Sequence, residues 1–161
     1  MRMVGSDTTT MPTEPSSTAP LGRLRLMQLI SPTLPIGGFT YSQGLEWAVE
    51  HRWVHDRATL SDWLAGLMED NLARLELPVL QRLYAACARA DRDALARWAM
   101  HLYASRETSE LRAEERQRAR ALISLLGDLG IRRAQDWREA LAPCQAAPFA
   151  LAAVHWLSLI H

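Results

Sequence analysis

"TLSDWLAGLMEDNLARL", residues 59–75, decides the fold class. Its apolar residues are Leu60, Trp63, Leu64, Leu67, Met68, Leu72 and Leu75. That spacing is close to the 3.6-residue period of a helix with one apolar stripe. Thr59 and Asp62 form an approximate capping box at its start. Downstream, Pro78 kinks or restarts the chain, and Val79, Leu80, Leu83, Tyr84 and Cys87 carry a fourth apolar stripe. Asp91 or Asp93 can cap a fifth helix that turns Leu95, Trp98, Ala99, Leu102 and Tyr103 inward. A sixth, from about Thr108 to Leu126, sets Leu111, Leu122, Leu125 and Leu126 on one side, with Gly127 and Gly130 ending it. "AQDWREALAP" reads as a short helix closed by Pro143. The final stretch "AAPFALAAVHWLSLIH", with Phe149, Leu151, Val154, Trp156, Leu157, Leu159 and Ile160, has hardly any polar face. A helix apolar all round needs cover on every side, so either a partner covers it or sequence is missing.

Upstream, Leu24, Met27 and Ile30 offer an apolar stripe on a helix that Pro32 and Pro35 stop. A second helix starts near Phe39 and runs to about Glu50. No convincing strand and no internal repeat is present, so the class is all-α: a single helical bundle of about seven helices over residues 21–161. Eleven of the first twenty residues are Ser, Thr or Pro. They have little to bury, and 1–20 reads as a disordered tail.

A chain of 161 residues, 48% apolar and 22% charged, holds one ordinary core. Eighteen acids balance eighteen bases, all of them arginine. Neutrality gives no electrostatic case for nucleic acid or an anionic membrane. Cys87 and Cys144 belong to no CxxC pattern, which fits a reducing cytosol. There is no secretory h-region and no membrane-length apolar run.

"PIGGFTYSQG", residues 35–44, has neither a phosphate-loop lysine nor the strand context of a dinucleotide site. It reads as a turn that needs positive φ, followed by a helix capped by Thr40 or Ser42. Phe39, Tyr41, Gln43 and Glu46 are contact residues more than capping residues. In "HRWVH", His51 and His55 are four apart, as metal ligands can be. Asp56 is the only third ligand at hand, and solvated histidines at a helix end are the simpler reading. "SRETSELRAEERQRAR", residues 105–120, reads as a solvated face laced with ion pairs, within which Arg106, Glu110 and Arg112 could also meet a partner. Glu114 and Arg118 are spaced for an i,i+4 pair. Arg118 falls near the apolar stripe, where a buried arginine needs Glu114 or Glu115. A helical nucleic-acid-binding regulator using Arg112, Arg116, Arg118 and Arg120 is the alternative reading. The interspersed Glu110, Glu114 and Glu115 argue against it.

Three blocks together resemble the urease accessory protein UreF family. "LMQLISPTLPIGGFTYSQGLEWAVE" is similar to that family's opening helix, Pro-rich turn and GGF[ST]-x-S-x-GLE segment. "WVHDRATLSDWL" follows as its next helix does, and "SRETSELRAEERQRARALISLL" resembles its arginine-rich central helix. The likeness runs from about Leu21 to Ala153. It implies an all-α, non-enzymatic, cytoplasmic protein acting with the accessory D/H protein and the accessory GTPase G to load nickel into apo-urease. It also implies homodimerisation, no nucleic-acid or membrane partner, and no cofactor bound directly, since partners handle nickel and GTP. Gly37, Gly38, Phe39, Tyr41, Ser42, Gly44, Leu45 and Glu46 match the first motif; Ser105, Arg106, Glu107 and Arg112 match the second. On this reading Pro35, Gly37, Gly38, Phe39 and Gly44 shape the turn, while Tyr41, Ser42, Gln43, Glu46, Arg106 and Arg112 meet partners. Three features depart from the pattern. Arg52 stands where the family often has glycine, a residue suited to the C′ position of a helix. Ala119 replaces a common glycine in the central helix. The family's later helices, which dock the D/H protein and close the core, are absent.

Overall fold

The computed structural model describes residues 18–31, 34 and 44–157. Among these residues there is no strand, and the class is all-α. The helices are α1 (Thr18–Leu29), α2 (Leu45–Glu50), α3 (Arg57–Gly66), a π-helix (Leu67–Glu76), α4 (Leu77–Ala88), α5 (Arg92–Ala104), α6 (Ser109–Asp128), α7 (Arg132–Asp136), α8 (Arg138–Leu141) and α9 (Ala146–Leu157).

α9 is the centre of the bundle. α1, α4 and α6 pack around it, and Ala147, Ala150, Leu151, Ala152, Val154 and Trp156 are buried. The cover that its composition demands comes from the chain itself, not only from a partner. Leu159 and Ile160 lie outside the described residues. α4 supplies Val79, Leu83, Ala86 and Cys87 to the same core, α5 Leu95, Ala99 and Leu102, and α6 Leu122, Ile123 and Leu126. Each such leucine is worth about 1.5–3 kcal/mol buried rather than exposed. Ala119 is fully buried on α6. Burial pushes the Cys87 thiol up to about 11 and the Cys144 thiol up to about 12. Both are free, buried and unreactive.

Several boundaries differ from the sequence reading. α1 begins at Thr18, inside the expected tail, and residues 1–17 lie outside the described chain. Its core-facing stripe is Gly22, Leu26 and Leu29, not Leu24, Met27 and Ile30, which are exposed. Gly22 decides this, because a Cβ there would sit 2.7 Å from the Trp156 carbonyl oxygen. Only glycine lets α1 come that close to α9. Among the described residues α2 runs Leu45–Glu50 with Gly44 as its N-cap, and Phe39, the expected start of that helix, lies outside them. The capping box of α3 is Asp56 with Thr59, one turn earlier than Thr59 with Asp62. Asp56 Oδ1 accepts from the Thr59 amide at 2.8 Å, and the Asp56 amide donates to Thr59 Oγ1 at 3.1 Å. The Thr59 amide first, and then the Thr59 hydroxyl, which donates to Asp56 Oδ1 at 2.8 Å, hold the Asp56 carboxyl below its usual range.

Asp91, not Asp93, caps α5, and Thr108 caps α6. Gly127 lies within α6; Gly130, at φ +85°, ends it with the Ile131 amide donating back to Leu126. The expected single helix before Pro143 is two, broken at Trp137. The largest correction concerns residues 59–75. They are helical, but none of α3 or the π-helix is buried, and Leu64, Met68 and Leu72 face solvent. The period identified a helix without identifying a buried face.

Candidate functional site: a cleft floored by an ion-pair network

The π-helix, the α5–α6 turn, the first half of α6 and the start of α9 enclose a cleft of about 860 Å³. Leu72, Leu75, Leu111 and Phe149 form its apolar walls. Gly44 stands on its rim, and Ser105, Arg106 and Glu107 line it, so parts of two distant sequence motifs meet here.

Arg106 is central to the floor. Its Nη1 donates to Glu76 Oε1 at 2.5 Å and its Nε to Glu115 Oε2 at 3.0 Å. Burial acts to lower the Arg106 pKa, but the hydrogen bonds and charges of Glu76 and Glu115 more than offset it and raise it. Glu115 is 4% exposed. Its Oε1 also accepts from the Gln145 amide at 2.8 Å, tying α6 to the entry of α9. Arg118 lies 3.3 Å from Glu114 and 3.9 Å from Glu115, so both glutamates foreseen for it serve. Two atoms of this floor, Glu114 Oε2 and Arg118 Nε, are buried with no hydrogen-bond partner among the described residues. Such groups are expensive to leave unpaired.

The turn before α6 is fixed by its own residues. Arg112 Nη1 donates to the Arg106 carbonyl at 2.6 Å, and Ser105 Oγ donates to the Leu102 carbonyl at 2.6 Å. Thr108 Oγ1 accepts from the Leu111 amide at 3.2 Å. Of the residues expected to meet partners, Arg106 is thus mostly buried in the floor and Arg112 braces the turn beside it. Glu46 is exposed in the first turn of α2. Tyr41, Ser42 and Gln43 lie outside the described residues, as do Pro35, Gly37, Gly38 and Phe39 among the turn residues. Gly44 has φ +84°, in the left-handed region that favours glycine.

α2, which follows Gly44, ends in a Schellman turn. The Trp53 amide donates to Ala48 at 2.8 Å and the Arg52 amide to Val49 at 3.1 Å. Arg52, at φ +60°, occupies the C′ position that suits glycine. Trp47 stacks on His51 with ring centroids 4.0 Å apart, and Trp53 meets Trp47 edge-on at 4.9 Å. Trp47, Val49 and Trp53 are exposed. His51 Nδ1 is 2.9 Å from the Trp47 carbonyl and His55 Nδ1 is 3.1 Å from the Arg52 carbonyl. Among the described residues no three His, Cys, Asp or Glu side chains come together as metal ligands. Nor do the arginines of α6 form a free basic strip. Arg112 and Arg118 are engaged as above, and Arg116 lies 4.3 Å over the Tyr103 ring.

Sequence reasoning missed Glu76, Gln145 and the bridging part played by Glu115. One signal for Glu115 was present. Leu111, Glu115, Arg118 and Leu122 share one helical face, so an acid and a base sit inside an apolar stripe. Nothing local in the sequence points to Glu76 or Gln145.

Fold and cleft define a helical scaffold whose most buried charges are committed to one another. No helix among the described residues is long and apolar enough to cross a membrane. The UreF family profile matches residues 54–158. The urease accessory protein UreF of Pseudomonas putida strain W619 is 54% identical over 136 residues, covering 84% of this chain and 61% of the relative. The protein of that name from Alcanivorax borkumensis is 51% identical over 138 residues, covering 82% and 60%. That of Escherichia coli O157:H7 is 46% identical over 137 residues, covering 85% and 61%. The chain belongs to the UreF family, and it spans about three-fifths of the length of these relatives.

Proposed function

We propose that this chain is a non-catalytic scaffold of urease maturation. It works with the accessory D/H protein and the accessory GTPase G to promote nickel insertion into apo-urease in the cytoplasm. Nickel and GTP are handled by those partners, and the chain binds neither. The whole assembly contains two copies of this subunit. One observation carries the reading: Gly44 and the Ser105–Glu107 turn, from the two family motifs, converge on one cleft, and the segment that follows Gly44 carries the exposed Trp47 and Trp53. Aromatic residues are enriched where protein surfaces meet partners.

The test is co-expression with the D/H protein and the GTPase of a urease-bearing bacterium, followed by affinity capture on the D/H protein. This chain and a relative of full length are compared in the same host. Glu46→Ala in this chain is expected to weaken capture without changing far-UV circular dichroism. No capture of either chain by either partner overturns the proposal.

A further inference from the structure

The π-helix Leu67–Glu76 has a property that the scaffold role does not use. π-turns are rare and occur mostly as single bulges, often at functional places. Here ten residues take that form, and the Leu77 amide reaches back five residues to the Leu72 carbonyl. The same residues carry an α-type period in their sequence, and none of them is buried. Local preference and observed conformation disagree in this segment.

Pro78 supplies the local reason for the π form. It stands at the start of α4, lacks an amide hydrogen, and in an α-helix its ring would press on the carbonyl four residues back, that of Arg74. A π-turn widens the backbone just before it. α4 is anchored by Val79 and Leu83 in the core. α3, on the other side, packs chiefly on the π-helix and has no buried residue. α3 can therefore turn while α4 stays fixed.

We propose that Leu67–Glu76 is a register switch between π- and α-helix, held in the π form by Pro78. Each π-turn holds one residue more than an α-turn, and each residue advances the helix by about 100°, so two turns converting to α rotate α3 by roughly 200°. Leu64, 46% exposed, then swings from solvent towards the cleft, and the half-buried Leu60 and Trp63 turn outward. Within the cleft Leu111 and Phe149, which lie outside the converting segment, offer apolar walls to receive Leu64.

The test uses the full chain with spin labels at Asp62→Cys on α3 and Arg97→Cys on α5, both exposed. The native cysteines are buried and unlabelled. Wild-type protein is expected to give one main distance, and Pro78→Ala a second population. A half-turn moves a label across a helix about 10 Å wide, so the two populations differ by up to about 10 Å. Amide exchange in the wild type is the independent arm. Amides of residues 72–76 are expected to exchange at least about tenfold faster than those of residues 83–87, as a segment that opens without global unfolding does. A folded Pro78→Ala protein with only the wild-type distance overturns the switch. If Pro78→Ala does not fold, equal protection of the two amide sets overturns it, and the tenfold difference sustains it.

Discussion

Glu115 is the carboxylate that the cleft floor can least afford to lose. It is 4% exposed and accepts from Arg106 at 3.0 Å and from the Gln145 amide at 2.8 Å. Each hydrogen bond to a charged group contributes about 1.5–3 kcal/mol. Glu115→Ala removes both and leaves the Gln145 amide without its acceptor. Arg106 keeps Glu76 and Arg118 keeps Glu114, so neither guanidinium is fully orphaned. That places the loss at about 4 kcal/mol, within the range for breaking one side of a buried pair. Glu115→Gln retains an oxygen for one donor and loses the charge, for about 2 kcal/mol. Asp70→Asn is the control: its pair with Arg74 is exposed on both sides, 74% and 72%, and is worth about 0.3–0.5 kcal/mol. Urea unfolding followed by tryptophan fluorescence and circular dichroism separates the three. With a slope of about 2 kcal/mol/M, Glu115→Ala shifts the midpoint by about 2 M. A Glu115→Ala midpoint indistinguishable from that of Asp70→Asn refutes the network as a structural tie between α5, α6 and α9.

Three further outcomes rest on particular geometries. Arg52→Gly relieves a left-handed arginine at φ +60° and Ala90→Gly a left-handed alanine at φ +55°. Each is expected to stabilise by about 1 kcal/mol, or raise Tm by about 3 °C, and a lower Tm in both contradicts the strain argument. Gly22→Ala places a methyl 2.7 Å from the Trp156 carbonyl oxygen, against backbone that cannot swing aside. It should cost about 1–3 kcal/mol, with faster amide exchange in α1 than in α6; unchanged α1 protection refutes the close approach. His155 has its pKa lowered from 6.5, by burial first and then by Arg133 and Arg25. The unfolded chain thus takes up that proton more readily, and stability falls as pH drops through 6.5 towards the folded pKa. His155→Gln should flatten this part of the stability–pH curve, and an unchanged slope assigns it to other groups.

The parts of the fold legible in the sequence are those written locally. Asp91 and Gly130 each act within three to five residues of themselves and were readable as a cap and a stop, while Thr108, read as the approximate start of its helix, is the cap of α6. The partners in the cleft floor were not. Arg106 meets Glu76, and Glu115 meets the Gln145 amide, each across thirty residues of chain. No local rule of spacing reaches that far. Only the acid and base inside the α6 stripe betrayed that something charged lay opposite.

The same limit explains the two misread stripes. Leu122 and Leu126 of α6 and Leu64 and Met68 of α3 and the π-helix show the same four-residue spacing, yet the first pair is buried and the second exposed. Spacing fixes that a face exists; what stands opposite decides whether it is covered. In α1 the deciding residue was the smallest, because Gly22 rather than a leucine admits the neighbouring backbone. In α9 the all-round apolar sequence required cover but could not say whose, and α1, α4 and α6 provide it. In α3 and the π-helix Leu60, Trp63, Leu67 and Leu75 are half-buried, while Leu64, Met68 and Leu72 are left exposed by the described residues. The uncovered side is therefore not a flaw of helix formation. It is an amphipathic face of which Leu64, Met68 and Leu72 are not covered by the described residues.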